Sequence, residues 1–177
     1  MITPILETER ILLRPLRISD AEAAYENWTS DPEVAQFVRW SVHESVADTI
    51  TWLTDAEANM TSDKHYDWGF VCKKSNMLFG AGGLIYNETQ GMFELGYGMM
   101  QAYWGRGLAT EAARAMLDFA IRELGEREFF VCYVKGNEAS GRVIEKLGFA
   151  YQRDGTCTSY DGKRVFENRE YYLGVEG

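Results

Sequence analysis

The stretch that decides the fold runs from Met92 to Ala112 and reads Met-Phe-Glu-Leu-Gly-Tyr-Gly-Met-Met-Gln-Ala-Tyr-Trp-Gly-Arg-Gly-Leu-Ala-Thr-Glu-Ala. Its first part predicts a strand over 92–99, followed by a loop with glycines at positions 105 and 107. The loop leads directly into a long amphipathic helix, predicted over 108–124 and ended by Gly125. Such a helix start exposes unpaired backbone N–H groups and the positive end of the helix dipole, so an anion is the expected guest.

A phosphate or pyrophosphate group is the anion that this loop suits best. Its glycines allow close approach to the backbone, and Arg106 can add a charge-assisted contact. Two other interpretations stay open at this point, an ordinary tight turn and a dinucleotide-binding Rossmann unit. The Rossmann fingerprint needs a third glycine where this chain has Thr110. In a Rossmann unit the strand before the fingerprint also opens a parallel βαβ unit.

Around this stretch, short strands and helices succeed one another without repeats or low-complexity linkers. Turn-flanked apolar segments predict strands at 10–17, 67–73, 78–86, 92–99, 128–134, 149–154 and 164–173. Helical spacing and capping residues predict helices at 20–28, 45–59, 108–124 and 138–147, with a short helical piece after Ser30. The strands from 67 to 99 are joined by short turns, which predicts an antiparallel meander.

The order of these elements predicts an α/β (mixed α+β) fold. One domain over residues 1–177 is expected, with a central, mixed, mostly antiparallel sheet of six or seven strands flanked by helices. A capping box at Ser19–Glu22 is expected to start the first helix. Gly96 and Gly98, inside the strand 92–99, are expected to mark a bulge or the close approach of a ligand.

The composition excludes several classes of protein. The chain has 177 residues, with 27 acidic and 18 basic side chains and a formal net charge of -9, which argues against a nucleic-acid partner. No apolar run approaches the roughly 18 residues of a membrane span, so no membrane partner is expected. Three cysteines without metal-ligand spacing, Cys72, Cys132 and Cys157, indicate buried thiols and a cytoplasmic location.

The scarce residues exclude common catalytic sites. The two histidines, His43 and His65, do not form a His-Glu-x-x-His zinc motif, so no metal is expected. The Gly-x-Ser-x-Gly nucleophile elbow and the Gly-x-x-x-x-Gly-Lys phosphate loop do not occur either. Zinc peptidases, serine hydrolases of that type and P-loop enzymes are therefore disfavoured.

Several short motifs together resemble one family. Trp104-Gly-Arg-Gly-Leu-Ala109 resembles the acetyl-CoA-binding motif (Gln/Arg)-x-x-Gly-x-(Gly/Ala) of the GNAT superfamily of N-acetyltransferases, with Trp104 departing from it at the first position. Asn137-x-x-Ser140, followed by Glu145-Lys-Leu-Gly-Phe149, resembles the second signature of that superfamily. Thr8–Leu16 and Asp31–Val34 are similar to the branch that includes the Rim-type ribosomal-protein alanine N-acetyltransferases. The resemblance spans about residues 7–173.

The resemblance implies acetyl-CoA as cosubstrate and direct attack of a bound amine on the thioester, without an acyl-enzyme. It implies that the loop backbone holds the pyrophosphate, that the end of the preceding strand pairs with the pantetheine arm, and that a free N–H near Gly98 polarises the thioester carbonyl. The cofactor-binding residues so implied are Gly98, Met99, Met100, Trp104, Gly105, Arg106, Gly107, Leu108, Ala109, Asn137, Ser140 and Arg142.

Ser140 and Glu94 are the two catalytic candidates. The resemblance implies that Ser140 hydrogen-bonds or protonates the departing thiolate. Strand alternation puts Glu94 on one face with Gly96 and Gly98, where its carboxylate can accept the proton of the amine directly or through water. Plain structural interpretations stay open beside these roles: a solvent-facing strand glutamate, a first-turn serine, and a helix cap for Asn137.

Three functions stay open at this stage. The chain acetylates the N-terminal α-amine of a protein or peptide, or it acetylates a small amine such as a polyamine, an amino acid or an antibiotic, or it binds acyl-CoA without catalysis. Because CoA is polyanionic, a net charge of -9 opposes its long-range attraction, and the acidity suits a cationic amine instead. The sequence permits a homodimer without requiring one.

Overall fold

The computed structural model describes residues 2–176. Its strands are β1 (Leu6–Glu7), β2 (Ile11–Pro15), β3 (His65–Cys72), β4 (Leu78–Asn87), β5 (Met92–Met99), β6 (Glu128–Val134), β7 (Ala150–Thr158) and β8 (Val165–Gly174). They form one sheet in the order β1-β2-β3-β4-β5-β6-β8-β7. Neighbouring strands run antiparallel except for β5 and β6, which are parallel.

Helices cover both faces of this sheet. In the described part of the chain they are α1 (Ala21–Ala24), α2 (Pro32–Ala35), α3 (Val46–Asn59), α4 (Leu108–Phe119) and α5 (Glu138–Lys146). A 3-10 turn at Ile18–Asp20 precedes α1, and π-helical turns at Tyr25–Thr29 and Ala120–Leu124 extend α1 and α4. The second of these ends at Gly125, whose φ of 76° only glycine adopts easily.

Each face of the sheet has its own core. On one face, α4 packs Met116 and Phe119 against the alternate strand residues Trp68 and Leu95. On the other face, α1 and α3 contribute a second cluster that includes Leu53 and the small strand residue Ala81. Burying one large side chain of this kind contributes about 1.5–3 kcal/mol, so each layer of helices is held independently.

The strands β5 and β6 separate after a short parallel pairing. Phe93 pairs with Phe129 and Glu94 with Phe130, whereas β5 continues to Met99 and β6 to Val134. Beyond Glu94 the two strand edges therefore face each other across a gap. The backbone groups along this gap are not satisfied by the neighbouring strand, which makes the gap a place for a ligand.

The predicted fold class, the antiparallel meander and the strand 92–99 are confirmed. The sheet has eight strands instead of six or seven, because the pair Leu6–Glu7 forms a strand against β2 that is too short to show a periodicity. The strand predicted at 149–154 extends to Thr158, since its pairing with β8 continues that far.

Of two local expectations, one is wrong and the other keeps only one of its two alternatives, the close approach of a ligand. The capping box at Ser19–Glu22 does not form, because the first turn starts at Ile18 and the Asp20 carboxylate accepts from the Arg17 N–H at 2.9 Å. No bulge interrupts β5, whose pairing with β4 keeps one register from Met92 to Met99. Gly96 and Gly98 instead leave open space, since a Cβ on either would meet nothing within 4 Å.

Candidate active site

The loop before α4 has the geometry of an anion site. Gly105 and Gly107 have φ values of 70° and 74°, a region that favours glycine. Gly107 is the N-cap of α4, and no side-chain hydrogen bond of the described residues caps it. The N–H groups of the first turn therefore have no side-chain cap among the described residues. Leu108 and Ala109 are buried, which fixes the position of this helix end.

Side chains from the turn between β1 and β2 brace this loop. Glu111, in the first turn of α4, accepts from the Thr8 hydroxyl at 2.6 Å and from the Arg10 backbone and guanidinium at 2.9 and 2.7 Å. Arg10 also donates to the Arg106 carbonyl at 2.9 Å. Burial would raise the pKa of Glu111, but the bonds from Thr8 and Arg10 lower it below its usual value. Sequence analysis missed this brace, although Thr8 and Arg10 lie in the segment similar to the Rim-type enzymes.

The backbone of β5 presents alternate groups to the gap. The Met100 N–H donates to the Phe79 carbonyl at 2.8 Å, and the Met100 carbonyl accepts from the following turn. Antiparallel alternation then directs the N–H of Gly98 toward β4 and that of Met99 toward the gap. The indole N–H of Trp104 donates to the Met99 carbonyl at 2.8 Å, which agrees with this direction. The Met99 N–H therefore faces the gap, whereas the Met99 carbonyl and both backbone groups of Met100 already have partners within the protein; pairing of Met99 and Met100 with pantetheine stays a prediction.

Ser140 and Tyr97 meet on the α5 side of the gap. The Tyr97 and Ser140 hydroxyl oxygens lie 3.0 Å apart. Burial raises the pKa of Tyr97 to about 12, so this hydroxyl keeps its proton at neutral pH and can donate it in a hydrogen bond. Asn137 caps α5 by accepting from the Ser140 backbone N–H at 3.4 Å. The cap and the tyrosine together fix Ser140 at the gap.

Glu94 lies on the opposite face of β5, where the two strands separate. The Asn87 amide donates to its Oε2 at 2.8 Å, and Cys132 Sγ lies 3.9 Å from its Oε1. Burial, with a smaller contribution from the Glu94 carboxylate, raises the pKa of Cys132 to about 12. The thiol therefore stays neutral, and the carboxylate is the basic group at this position.

A histidine–aspartate pair on β3 shares this face, and sequence analysis missed it. His65 Nε2 and Asp67 Oδ2 are hydrogen-bonded, and this bond raises the pKa of His65. The strand register aligns His65 with Ile85 and then with Glu94. Asp67 reaches across the neighbouring strand because Gly83 has no side chain; a Cβ there would overlap Asp67 Oδ1. The pair is invisible in the sequence because only the pairing register brings it beside Glu94.

One cavity of about 590 Å³ joins these groups. Its inner part lies at the gap, where Gly98 and Ser140 line it. Its outer part extends between the sheet and the helical segments from α1 to α3. The aromatic residues that line this outer part include Trp28, Phe37, Trp40, His43 and Trp52 from the helical segments and Tyr160 from the β7–β8 hairpin.

Most of the predicted site residues lie at this cavity or at the loop beside it. Glu94, Gly98, Asn137 and Ser140 line the cavity. Arg142 is exposed on α5, and its side chain makes no hydrogen bond or ion pair with another residue in the range 2–176, so its contact with a 3′-phosphate stays a prediction. Within that range, no group of three or more His, Cys, Asp or Glu side chains is arranged to hold a metal ion. None of the described helices has the length and apolar character needed to cross a membrane.

Comparison with known proteins identifies the family. Residues 10–150 match the model of the acetyltransferase (GNAT) domain. The uncharacterized N-acetyltransferase YoaA of Bacillus subtilis is 28% identical over 158 residues, which cover 89% of this chain and 88% of that protein. A GNAT-family acetyltransferase structure from Bacillus anthracis superimposes with a TM-score of 0.82, 24% identity and coverage of 97% and 98% of the two chains. The structure of RimL, a ribosomal L7/L12 α-N-protein acetyltransferase in complex with coenzyme A, gives a TM-score of 0.83 at 16% identity, covering 97% and 98%.

The eight-stranded sheet, the gap between β5 and β6 and the domain match define a class of protein. The chain belongs to the GNAT family of acetyltransferases and is an acyltransferase. Structures with the same fold include ribosomal-protein acetyltransferases, as expected from the Rim-type motifs.

Proposed function

We propose that this protein transfers the acetyl group of acetyl-CoA to the α-amino group of a protein or peptide N-terminus by direct attack. The observation that carries the proposal is the gap between β5 and β6, with the open N-terminus of α4 beside it. Family membership and the ribosomal-protein acetyltransferase activity named for the fold relative RimL support the choice of reaction and of substrate.

Each part of the gap suits one part of the reaction. The first-turn N–H groups behind Gly107 bind the pyrophosphate, and Arg106 adds a positive charge beside it. The gap-facing N–H of Met99 donates to the thioester oxygen as negative charge develops there. Ser140, held by Tyr97 at 3.0 Å, donates to the sulfur as it leaves. These assignments place the reacting carbonyl between Met99 and Ser140.

Proton transfer completes the reaction. An α-amino group has a pKa of about 7.7–8.0, so part of it is already neutral at pH 7, unlike a lysine amine near 10.4. The neutral nitrogen attacks the carbonyl carbon, the C–N bond forms and the C–S bond breaks. The Glu94 carboxylate takes the proton released from nitrogen, directly or through water, while the departing thiolate accepts a hydrogen bond from the Ser140 hydroxyl and takes its proton from solvent.

A small amine is the second candidate substrate, and one observation favours it. The segment between α2 and α3 is tied to the β7–β8 hairpin beside the cavity. Arg39 donates to the Thr158 carbonyl at 2.9 Å, and Ser41 donates to Asp161 at 2.5 Å. Arg164 of the hairpin donates to the Trp40 carbonyl at 2.8 Å. This strap closes one side of the cavity and limits the size of an acceptor that enters there.

A turnover assay tests both candidates. Release of CoA is measured with peptides bearing free N-termini and with small amines, and acetyl-CoA binding is measured by calorimetry. We expect peptide turnover that falls about 10²-fold or more in Glu94→Gln, because general base catalysis contributes about 10²–10⁴-fold. Binding of acetyl-CoA without turnover of any amine would leave only a non-catalytic acyl-CoA-binding role.

A further inference from the structure

The outer part of the cavity has two chemically different walls. The floor is the sheet, where Glu94 and the His65–Asp67 pair lie around bare backbone at Gly83 and Gly96. The roof is built from the helical segments on the α1–α3 face and carries aromatic rings. Carboxylates on one wall therefore face aromatic rings on the other, with the charged side chains of Arg39 and Asp55 beside the rings.

The rings of the roof form a continuous surface. Trp28 and Trp52 meet edge to face with ring centroids 6.4 Å apart. His43 lies 6.3 Å from Trp52 and 5.8 Å from Trp40, tilted against both. Such spacing is that of packed aromatic side chains, so the roof is a preformed surface and not a set of separate side chains.

The imidazole in this roof is neutral at neutral pH. Burial lowers the pKa of His43, and its Nδ1 lies 2.8 Å from the Thr49 hydroxyl. Thr49 in turn lies 3.0 Å from the Thr29 hydroxyl, so a polar chain behind the ring fixes its orientation. Two charged side chains, Arg39 and Asp55, also line the cavity beside the rings. The ring surface that Trp40, His43 and Trp52 present to a ligand is itself uncharged.

We infer that this aromatic roof, formed by Trp40, His43 and Trp52 and backed by the buried Trp28, is a subsite for an apolar group of the acceptor. The substrate class is then a primary amine with a bulky hydrophobic or aromatic substituent next to the reacting nitrogen. The inference rests on the proposed acetyl transfer at the gap. The ammonium group is drawn to the carboxylates of the floor, while its substituent packs against the rings.

The size of the cavity fits this division. Its volume of about 590 Å³ lies in the range of cavities that enclose a whole small ligand, roughly 300–1,000 Å³. An acetyl group and an amine nitrogen alone would leave the aromatic rings of the roof exposed to water, and exposed apolar surface is unfavourable. The cavity therefore has room for a leucine- or phenylalanine-sized group against the roof beside the reacting groups at the gap.

Four tripeptides that differ only in their first residue test the inference: Gly-Gly-Gly, Ala-Gly-Gly, Leu-Gly-Gly and Phe-Gly-Gly, with spermidine as a polycationic comparison. The expected kcat/KM for the Leu and Phe peptides is at least tenfold above that for the Gly peptide, since apolar groups in such pockets discriminate by about 10–200-fold per methylene. Trp52→Ala is expected to lower kcat/KM for the Phe peptide at least tenfold more than for the Gly peptide.

Tyr151→Ala is the matched control, because Tyr151 is an aromatic residue 54% exposed on β7, outside the cavity. It is expected to leave the ratio between the Phe and Gly peptides unchanged. Trp52→Leu replaces Trp52→Ala if the latter does not fold. The comparison of the Gly, Leu and Phe peptides with the wild-type protein needs no variant. A preference for the Gly peptide or for spermidine overturns the inference while the acetyl transfer stands. Failure to acetylate any of the five, with acetyl-CoA bound, overturns the proposed function itself.

Discussion

Replacing Gly107 by alanine tests the proposed phosphate loop, and Gly125→Ala is its matched control. The two glycines have φ values of 74° and 76°, one at the start of α4 and the other after its π-helical extension. A Cβ at Gly125 would meet nothing within 4 Å, and one at Gly107 would meet only Arg10 Nη2, at 3.6 Å. Neither substitution creates a clash, so the two variants carry the same backbone strain at opposite helix ends.

The two variants are expected to share a stability loss and to differ in CoA affinity. A residue with a Cβ costs about 1–2 kcal/mol in the left-handed region, which for a chain of this size lowers Tm by about 2–8 °C. At Gly107 the methyl group also enters the space in which the pyrophosphate is proposed to lie. Weakening one charge-assisted hydrogen bond there costs about 1.5–3 kcal/mol, so the Kd for CoA rises roughly 10- to 150-fold.

Calorimetric titration with CoA and thermal unfolding measure the two effects separately. We expect a similar fall in Tm for both variants, and weaker CoA binding for Gly107→Ala alone. If folded Gly107→Ala binds CoA like the wild type, the pyrophosphate does not lie on this loop. If Gly125→Ala weakens binding equally, the loss comes from general strain and the loop has no special role.

Two further predictions concern side chains that the sequence left unassigned. Arg10→Ala removes the hydrogen bonds to Glu111 and to the Arg106 carbonyl. The KM for acetyl-CoA is therefore expected to rise about tenfold with a smaller change in kcat, as for the loss of one hydrogen bond to a charged group. The control Arg14→Ala breaks the bidentate pair with Asp20 at 2.9 and 2.7 Å and should lower stability without changing that KM; equal KM shifts in the two variants would contradict the brace. For His65, the raised pKa in the folded state gives stability that is present below the unfolded pKa of about 6.5 and lost as pH rises through the folded value. The difference in Tm between wild type and His65→Gln should therefore shrink from pH 6 to pH 9. Burial lowers the pKa of His43, so the Tm difference between wild type and His43→Gln should change with pH in the opposite direction. If both Tm differences change with pH in the same direction, the opposite pKa shifts of the two histidines are refuted.

The strand, the glycine loop and the helix of residues 92–124 could be predicted because their signals are local. Alternation places Glu94 opposite Leu95, and the glycines and the amphipathic stripe mark where the helix begins and ends. The backbone direction at Met99 and Met100 could not be predicted, because it depends on which edge of β5 pairs with β4. One residue along a strand reverses that direction, so a family pattern transferred by sequence alone identifies the pair but not the member that faces the ligand.

The groups that sequence analysis missed all depend on contacts between distant segments. Arg10 reaches a loop that lies about a hundred residues further along the chain. His65 and Asp67 come beside Glu94 only through the registers of two strand pairs. A signal for the brace was present, since Thr8 and Arg10 belong to the motif similar to the Rim-type enzymes, but the motif does not say what it contacts. The structure supplies that contact: Glu111 in the first turn of α4.

The charge of the protein and the location of its two walls together explain how one site can take partners of opposite charge. A net charge of -9 repels polyanionic CoA at long range, so binding has to come from short-range groups. The N–H groups at the start of α4 are such groups, because they are fixed partial charges that act within one turn of the helix. Unlike a charged side chain, they do not have to lose the hydration shell of a full ion when the phosphate binds. The carboxylates of Glu94 on β5 and Asp67 on β3 line the cavity that an incoming ammonium enters. The gap between β5 and β6 is the opening in the sheet where the thioester of CoA, whose pyrophosphate the N–H groups hold, meets the amine that the carboxylates attract. The proposed chemistry therefore depends on the early separation of two parallel strands more than on any single side chain.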